Sequence, residues 1–578
     1  MTASGTFYYH PANSTDFHLN RIDIVMSRIS PKRITLLSWL LVPLLFGVLS
    51  VCLGQDANWD LRNYHFYNPY AFLYHRMGFD VLPSQVANFY NPLLYVPFYY
   101  MVTLLPPKLV GFVLGAIQGV NFPLLLAISH QLIPPSDHID QSLKNPWMRE
   151  LICIMVSLMG MLGAGNISEL GTMFSDNLLS LCVLASLLII LSGMKHFFAS
   201  SWKTRLAFVI SAGFLAGAAA GFKQPAAIFA VGLCAAFFVL KLPLIRRFWL
   251  SFGYGAGVLA GMAATGGFWI YEMWARFGNP LFPYFNLFFR SPMATIGDYQ
   301  DARFTPSTPG EFLISPFFFE AAPYKISELS FHDLRIPLLY MLLLALLVSY
   351  VIRASSSSCP SVRTETIFDM REQGFRLMLA FGIVSYLTWL KLFAIFRYAL
   401  TIELLAPLGI WLILDRLIIH VKTKLITVSI IFLLILITLT PANWGRAPWG
   451  KDFFGADLPV IKDPDHTMIL MTGTNPTSYL VPLFSPKIRF IRIQSYFTGP
   501  SLHPNGFDRL MQGIVARHKG PMYVLYRSYE QAVTTLSLTA YGLKEQQDSC
   551  QAFHPRIEAT EPHPLYLCRV SRMDTPKN

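Results

Sequence analysis

Charge is what this sequence has least of. Only 13% of its 578 residues are Asp, Glu, Lys or Arg, about half the share in ordinary soluble domains, which excludes a soluble globular protein. Cysteine is also scarce, seven in all, and no pair has the spacing of a metal-binding CxxC. Cys52, Cys153, Cys182 and Cys234 fall in or beside apolar runs, and Cys359 falls in a basic loop. Cys550 and Cys568 lie together near the end, the pair placed to form a disulfide if that region is outside the cytoplasm. No Walker loop, HExxH, GxSxG or dinucleotide fingerprint occurs, so nothing points to nucleotide, zinc-protease or serine-hydrolase chemistry.

What the chain does have is apolar length. Hydrophobic residues make up 53% and aromatic residues 14%, the makeup of a polytopic membrane protein. The net charge of +12 is not gathered into one patch. Lys and Arg recur between apolar runs, as in cytoplasmic loops under the positive-inside rule, which argues for a bilayer and against nucleic acid. A crossing needs about 20 mostly apolar residues. That rule places spans near 34–53, 109–131, 150–165, 177–194, 206–222, 225–240, 248–271, 336–352, 375–394, 398–418 and 425–440, about eleven in total. The first has the length of a signal anchor, preceded by Arg21, Arg28, Lys32 and Arg33 with no small-residue cleavage site.

Basic residues then set the orientation. Lys144 with Arg149, Lys195 with Lys203 and Arg205, Lys241 with Arg246 and Arg247, Arg353 with Arg363 and Arg371, and Arg416 with Lys422 and Lys424 fall in alternate loops. All are cytoplasmic if the N-terminus is cytoplasmic. This requires Pro92–Leu105, which carries Pro92 and Pro97 and is ringed by tyrosines, to be interfacial or re-entrant. The chain then divides into a cytoplasmic segment 1–33, a membrane module 34–440 with outer loops 54–108, 166–176 and 272–335, and an extracytoplasmic region 441–578. In the last, short β-like runs at Thr467–Met471, Ile488–Ile493, Met522–Tyr526 and Leu565–Val570 alternate with helical stretches near 506–518 and 528–541, predicting a small α/β domain. The Ser355–Ser358 run is a cytoplasmic loop.

The polar residues that need a reason gather on the outer side. The segment Gln55–Tyr74 sets Asp56 and Asp60 among aromatic rings directly after the first span. Ionisable groups at that depth are costly and have a partner or a task. The second outer loop, GNISELGTMFSDN, brings Glu169 and Asp176. Lys223 lies between two spans, Arg290 in the long loop, and Arg397 and Glu403 at the start of a later span. Carboxylates beside fixed cations suit transfer from a phosphate-bearing lipid: a carboxylate removes a proton from the attacking hydroxyl, and Lys or Arg neutralises charge on the departing phosphate. Simpler roles stand beside these. Asp56, Asp60 and Asp176 have the character of helix N-caps, Lys223 of a snorkelling lysine, His65 of an interfacial polar tip, and Arg397 of a topological anchor. Oxygen ligands such as Asp60, Glu169 and Asp176 also suit a hard divalent ion, though their spacing specifies none.

The pattern resembles the GT-C superfamily of membrane glycosyltransferases, bacterial type. The residues that carry the likeness are DANWDLRNYHFYNPYAFL, SELGTMFSDN, GNPLFPYFN and FRYALTIELL, with many spans, a large first outer loop and an outer C-terminal domain. The resemblance implies a sugar donor joined to a polyprenyl phosphate and a first-loop aspartate as base, Asp60 with Asp56 as rival. It implies acceptor or metal placement by Glu169 and Asp176, and donor-phosphate binding by Lys223, Arg290 or Arg397. The paired Asp-Glu of the protein mannosyltransferases is missing from the first loop, which speaks against their protein-acceptor specificity here, and the acceptor, a glycan, lipid or protein, is left unassigned. A lipid-linked polysaccharide polymerase or ligase, a transporter or flippase, and a non-catalytic envelope scaffold are the competing readings. The first would carry an arginine-rich late loop and the second charges within its spans.

Overall fold

The computed structural model describes residues 31–133, 147–199, 201–355, 370–501 and 503–573. The segment before residue 31, Lys144, Arg363, Cys359 and Ser356–Ser358 lie outside the described residues. Among the described residues, eight helices are long and apolar enough to cross a bilayer: Ile34–Leu53, Pro107–Leu132, Asp176–Ala199, Trp202–Phe222, Arg335–Ser355, Met370–Leu392, Phe396–Leu417 and Val421–Thr438. The other three expected spans are helical but do not meet that measure. Trp147–Met161 has 15 residues and carries Arg149 and Glu150. Gln224–Val239 is short and closes in a 3-10 turn. Leu244–Phe277 has 34 residues but dilutes its apolar run with glycine.

Those glycines have a packing reason. Leu244–Phe277 lies against Trp202–Phe222 so closely that a Cβ on Gly213 would meet the Tyr254 carbonyl at 2.1 Å, and one on Gly261 would meet the Phe214 carbonyl at 2.0 Å. Small residues at four-residue spacing let two helix backbones touch where lipid offers no hydrophobic drive for association. Pro92–Leu105 forms a 3-10 turn, Leu93–Tyr95, and the nine-residue helix Val96–Leu104. Twelve residues at about 1.5 Å each reach about 18 Å, short of a bilayer core of about 30 Å.

Hydrogen bonds tie together the loops expected on each side. At one end Lys223 reaches Phe174 and Asp176, Asn91 donates to the Gly221 and Thr265 carbonyls, and Arg335 donates to the Met159 and Leu162 carbonyls. At the other, Arg149 meets the Ile133 carbonyl, the Lys241 N–H meets Gln373, and Arg416 pairs with Glu372.

After residue 441 the chain forms a sheet. Two-residue strands β1 (Gln55–Asp56) and β2 (Arg446–Ala447) pair antiparallel. The strands β3 (Met468–Met471), β4 (Arg489–Arg492), β5 (Met522–Arg527), β6 (Leu543–Glu545), β7 (Gln551–Phe553) and β8 (Leu565–Arg572) build a six-stranded sheet of order β4-β3-β5-β8-β6, with β7 also on β8. β3 is parallel to β4 and β5, and β8 is antiparallel to β5. The expected strands and the helices Gly506–Arg517 and Gln531–Ala540 are there. The four strands not expected, β1, β2, β6 and β7, have two or three residues each, too short for a period to register. Cys550 and Cys568 form a disulfide.

The sheet is interlocked with the first loop. Val81 bridges to Ile491, Asp80 accepts from the Phe490 N–H at 3.0 Å and from Arg76, and the fully buried Arg492 donates to the Pro83 carbonyl at 2.8 Å. Arg62 and Arg527 both pair with Glu558. A buried guanidinium needs this many acceptors to offset its lost hydration, so the loop and the sheet are fixed relative to each other.

Candidate functional site

The first loop is organised by its own short polar residues. The Asp56 carboxylate accepts from the Asn58 N–H at 3.1 Å and the Asn58 amide at 2.7 Å, and Asn58 in turn accepts from the Leu61 N–H at 2.8 Å. That turn starts the helical segment Leu61–His65 and presents Asp60 just ahead of it. Asp56 is buried, and its second oxygen accepts from the Met173 N–H at 2.9 Å. Burial raises its carboxyl above the usual range, against the pull of Arg446. Asp56 thus links the first and second loops, with both oxygens occupied.

Asp60 faces the later spans. Arg397, on the 3-10 turn Phe396–Ala399, donates Nη1 to Asp60 Oδ2 at 3.0 Å, with the two side chains only 10% and 16% exposed. The turn is held by the Phe396 N–H donating to the Ile326 carbonyl at 2.7 Å and by stacking of Phe396 on Phe331 at 3.7 Å. Phe174 and Trp444 lie 4.4 and 5.1 Å from the guanidinium carbon. Burial opposes the charge on Asp60, but Arg397, helped by Lys223, outweighs it and holds the carboxyl below its ordinary range. Tyr64 donates a long 3.4 Å hydrogen bond to the same oxygen.

The second pair stands beside the first. Lys223, where Trp202–Phe222 ends, donates to both Asp176 oxygens at 2.9 and 2.8 Å and to the Phe174 carbonyl at 3.0 Å. Asp176 opens the helix Asp176–Ala199, yet its carboxylate is spent on Lys223. A small pocket is lined by one member of each pair, Asp176 and Arg397, with Tyr398, Ser180, Phe229 and Thr401. Glu169, at the C-cap of Ala164–Ser168, is buried, and neither of its oxygens has a hydrogen-bond partner among the described residues. Burial, then the Asp176 carboxylate, pushes its carboxyl well above the usual range, although Lys223 and Arg397 pull the other way. His65 is buried and stacked on Tyr95 at 4.4 Å. Burial drives its imidazole down to about 3, so it sits neutral.

Of the residues singled out in the sequence, Asp60, Asp176, Lys223 and Arg397 lie together, with Glu169 in electrostatic reach. Arg290 does not join them: it is solvent-exposed, at a left-handed position (φ 54°), and has no ion pair among the described residues. The carboxylates do not form a ligand set. Asp60 turns to Arg397 and Asp176 to Lys223, and the His, Cys and acidic side chains close enough to share one ion among the described residues are Glu545, Cys550 and Cys568, whose sulfurs are joined to each other. The placement does not fit a divalent ion at Asp60, Glu169 and Asp176.

A polar layer beneath the site has only a faint trace in the sequence. Glu403 accepts from the Gly165 and Asn166 N–H groups at 3.0 and 3.2 Å, Asp333 accepts from the Ala164 N–H at 3.0 Å, and the buried Arg335 pairs with Asp333. A Cβ on Gly163 would fall 1.6 Å from Glu403 Oε1, so GAG just before the second loop is the one local sign of a carboxylate pressed against backbone. Trp444, Tyr64 and Tyr398 are the other contributors, and an aromatic residue in an aromatic-rich chain carries no signal of its own. The large open cleft bounded by Arg517, His518, Lys519 and Arg572 shares no residue with this cluster.

Comparison of the chain with protein-family models, with curated proteins and with solved structures finds no match.

Proposed function

We propose that this protein is a membrane glycosyltransferase that moves a sugar from a polyprenyl-phosphate donor to an acceptor hydroxyl on the outer face of the plasma (inner) membrane. The single observation that carries this reading is the buried Asp60–Arg397 pair, set beside Lys223–Asp176 where the apolar helices end. A carboxylate held ionised is the form that accepts a proton, and two neighbouring cations supply what a departing phosphate needs. Little water and aromatic walls make such charges act more strongly than in bulk solvent.

Asp60 takes the proton of the acceptor hydroxyl, which attacks the anomeric carbon as the bond to the polyprenyl phosphate breaks through an oxocarbenium-like state. Attack from the face opposite the leaving group inverts the configuration. A leaving phosphate with a second pKa of about 6 needs little protonation, so Arg397 and Lys223 serve in place of a general acid. Glu169, whose carboxyl is pushed well above its ordinary range by burial and by the Asp176 carboxylate, offers a hydrogen bond to a sugar or acceptor oxygen. With the three shorter or glycine-diluted helices crossing alongside the eight long apolar ones, about eleven in all, the N-terminus cytoplasmic and the sheet outside, this cluster lies at the outer membrane boundary. The Cys550–Cys568 disulfide agrees with that side. This is the layout of GT-C transferases.

The test incubates the purified protein in lipid nanodiscs with a panel of polyprenyl-phosphate sugars and follows release of free polyprenyl phosphate. Release from at least one donor, lost in Asp60→Asn, is expected. Intact donors throughout, with the lipid moved between leaflets instead, would favour a flippase.

A further inference from the structure

Arg397 uses little of its hydrogen-bonding capacity. A guanidinium carries five N–H donors, and among the described residues Arg397 makes one hydrogen bond, to Asp60 at 3.0 Å. Its Nε is sealed from solvent with no acceptor, an arrangement that costs free energy until something fills it. Phe174, Trp444 and Tyr398, at 4.4, 5.1 and 5.8 Å from the guanidinium carbon, hold its plane and keep water away. Lys223 is the opposite case. Its ammonium has three donors and three acceptors, the two Asp176 oxygens and the Phe174 carbonyl. A planar fork with donors to spare matches a phosphate, which offers more oxygens than the one carboxylate oxygen now in contact.

We propose that Arg397 changes partner, leaving Asp60 for the phosphate of a polyprenyl-phosphate lipid, so that the phosphate and the Asp60 carboxylate compete for one guanidinium. This rests on the transferase reading above. No covalent bond changes in this step: one ion pair is exchanged for another. The consequence is an order of events. With the phosphate absent, Arg397 occupies the carboxylate that must receive the acceptor's proton. With the phosphate seated, that carboxylate is free. The donor therefore binds first, and an acceptor arriving alone meets a base already engaged.

Farnesyl phosphate, a short lipid phosphomonoester, is the probe. Its affinity for the full-length protein in nanodiscs is measured by isothermal titration for wild type, Asp60→Asn, Asp60→Glu and Arg397→Met. Removing a competing charge-assisted hydrogen bond makes Asp60→Asn bind roughly tenfold tighter than wild type. Asp60→Glu, which keeps the competitor, stays near wild type, and Arg397→Met loses binding. If Asp60→Asn is not recovered monodisperse, Asp60→Ser takes its place with the same expectation. The sign is decisive, because an Asp60 that merely props Arg397 in place predicts weaker binding when it is neutralised. Unchanged or weaker binding by the neutral variants overturns the exchange and leaves the transferase reading standing. No binding by any of the four proteins removes both.

Discussion

Replacing Lys223 by Met separates what the site does for folding from what it does for chemistry. The Lys223 and Asp176 side chains are 12% and 7% exposed, with ammonium and carboxylate 2.8 Å apart. The substitution removes three hydrogen bonds at once, two to Asp176 and one to the Phe174 carbonyl, and strands a carboxylate in a nearly dry site. Deleting one member of a buried pair costs about 3–5 kcal/mol, a large part of an ordinary stability of about 5–15 kcal/mol. Lys223→Met should therefore melt at clearly lower temperature in a detergent thermal-shift assay. Deleting both charges with apolar residues of similar size is about neutral, so Lys223→Met/Asp176→Leu should recover most of the lost stability. Transfer from the lipid-linked donor should stay well below wild type in both proteins, since one of the two cations that neutralise the leaving phosphate is gone and Arg397 alone remains. A double variant as stable and as active as wild type would refute the reasoning. So would a single variant that melts like wild type, because the pair would then not be buried in the way described.

Other outcomes follow from the same geometry. Asp60→Asn, which keeps an oxygen for Arg397, should express normally and lose about 10²–10⁴-fold in turnover; near-normal turnover would move the base to Asp56 or Glu169. Gly163→Ala puts a Cβ 1.6 Å from Glu403 Oε1, and overpacking of that kind should cost about 1–3 kcal/mol in thermal stability; an unchanged melting temperature would mean that Glu403 moves freely. Glu169 has a raised carboxyl in the folded protein, so the folded state holds a proton that the unfolded state releases above the ordinary value of 4.5. Stability should then fall as pH rises from that value toward the folded one. Glu169→Gln should flatten the decline, melting higher than wild type at pH 8 and alike near pH 4, and parallel profiles for the two proteins would contradict the assignment.

Local features were open to sequence reading and distant ones were not. The span Ile34–Leu53 and the strand Met522–Arg527 each declare themselves within one window of apolar residues. Leu244–Phe277 shows the limit: its glycines serve a tight contact with Trp202–Phe222, and the same glycines lower the hydropathy by which a crossing is recognised. The site divides the same way. Asp60 stands out because charge is rare beside the first span, and Lys223 and Arg397 because cations are rare on the outer side. Their pairing spans 337 positions in the case of Asp60 and Arg397, and no periodicity carries information over that distance. Asp56 and Asp60 have the same chemistry four residues apart. What separates them is that Asp56 meets the Asn58 and Met173 N–H groups while Asp60 meets a guanidinium, and only three dimensions tell. Arg290 looked as apt as Arg397 in the sequence, yet a left-handed backbone position and solvent exposure keep it apart.

The most direct measurement is cryo-electron microscopy of the protein in nanodiscs with a non-cleavable polyprenyl-phosphonate sugar. Density is expected for the phosphonate at Arg397 and Lys223, for the sugar over Asp60, and for the polyprenyl tail leaving toward the bilayer. A lipid bound anywhere else, with Asp60 and Arg397 still paired and the pocket between Asp176 and Tyr398 closed, would contradict it.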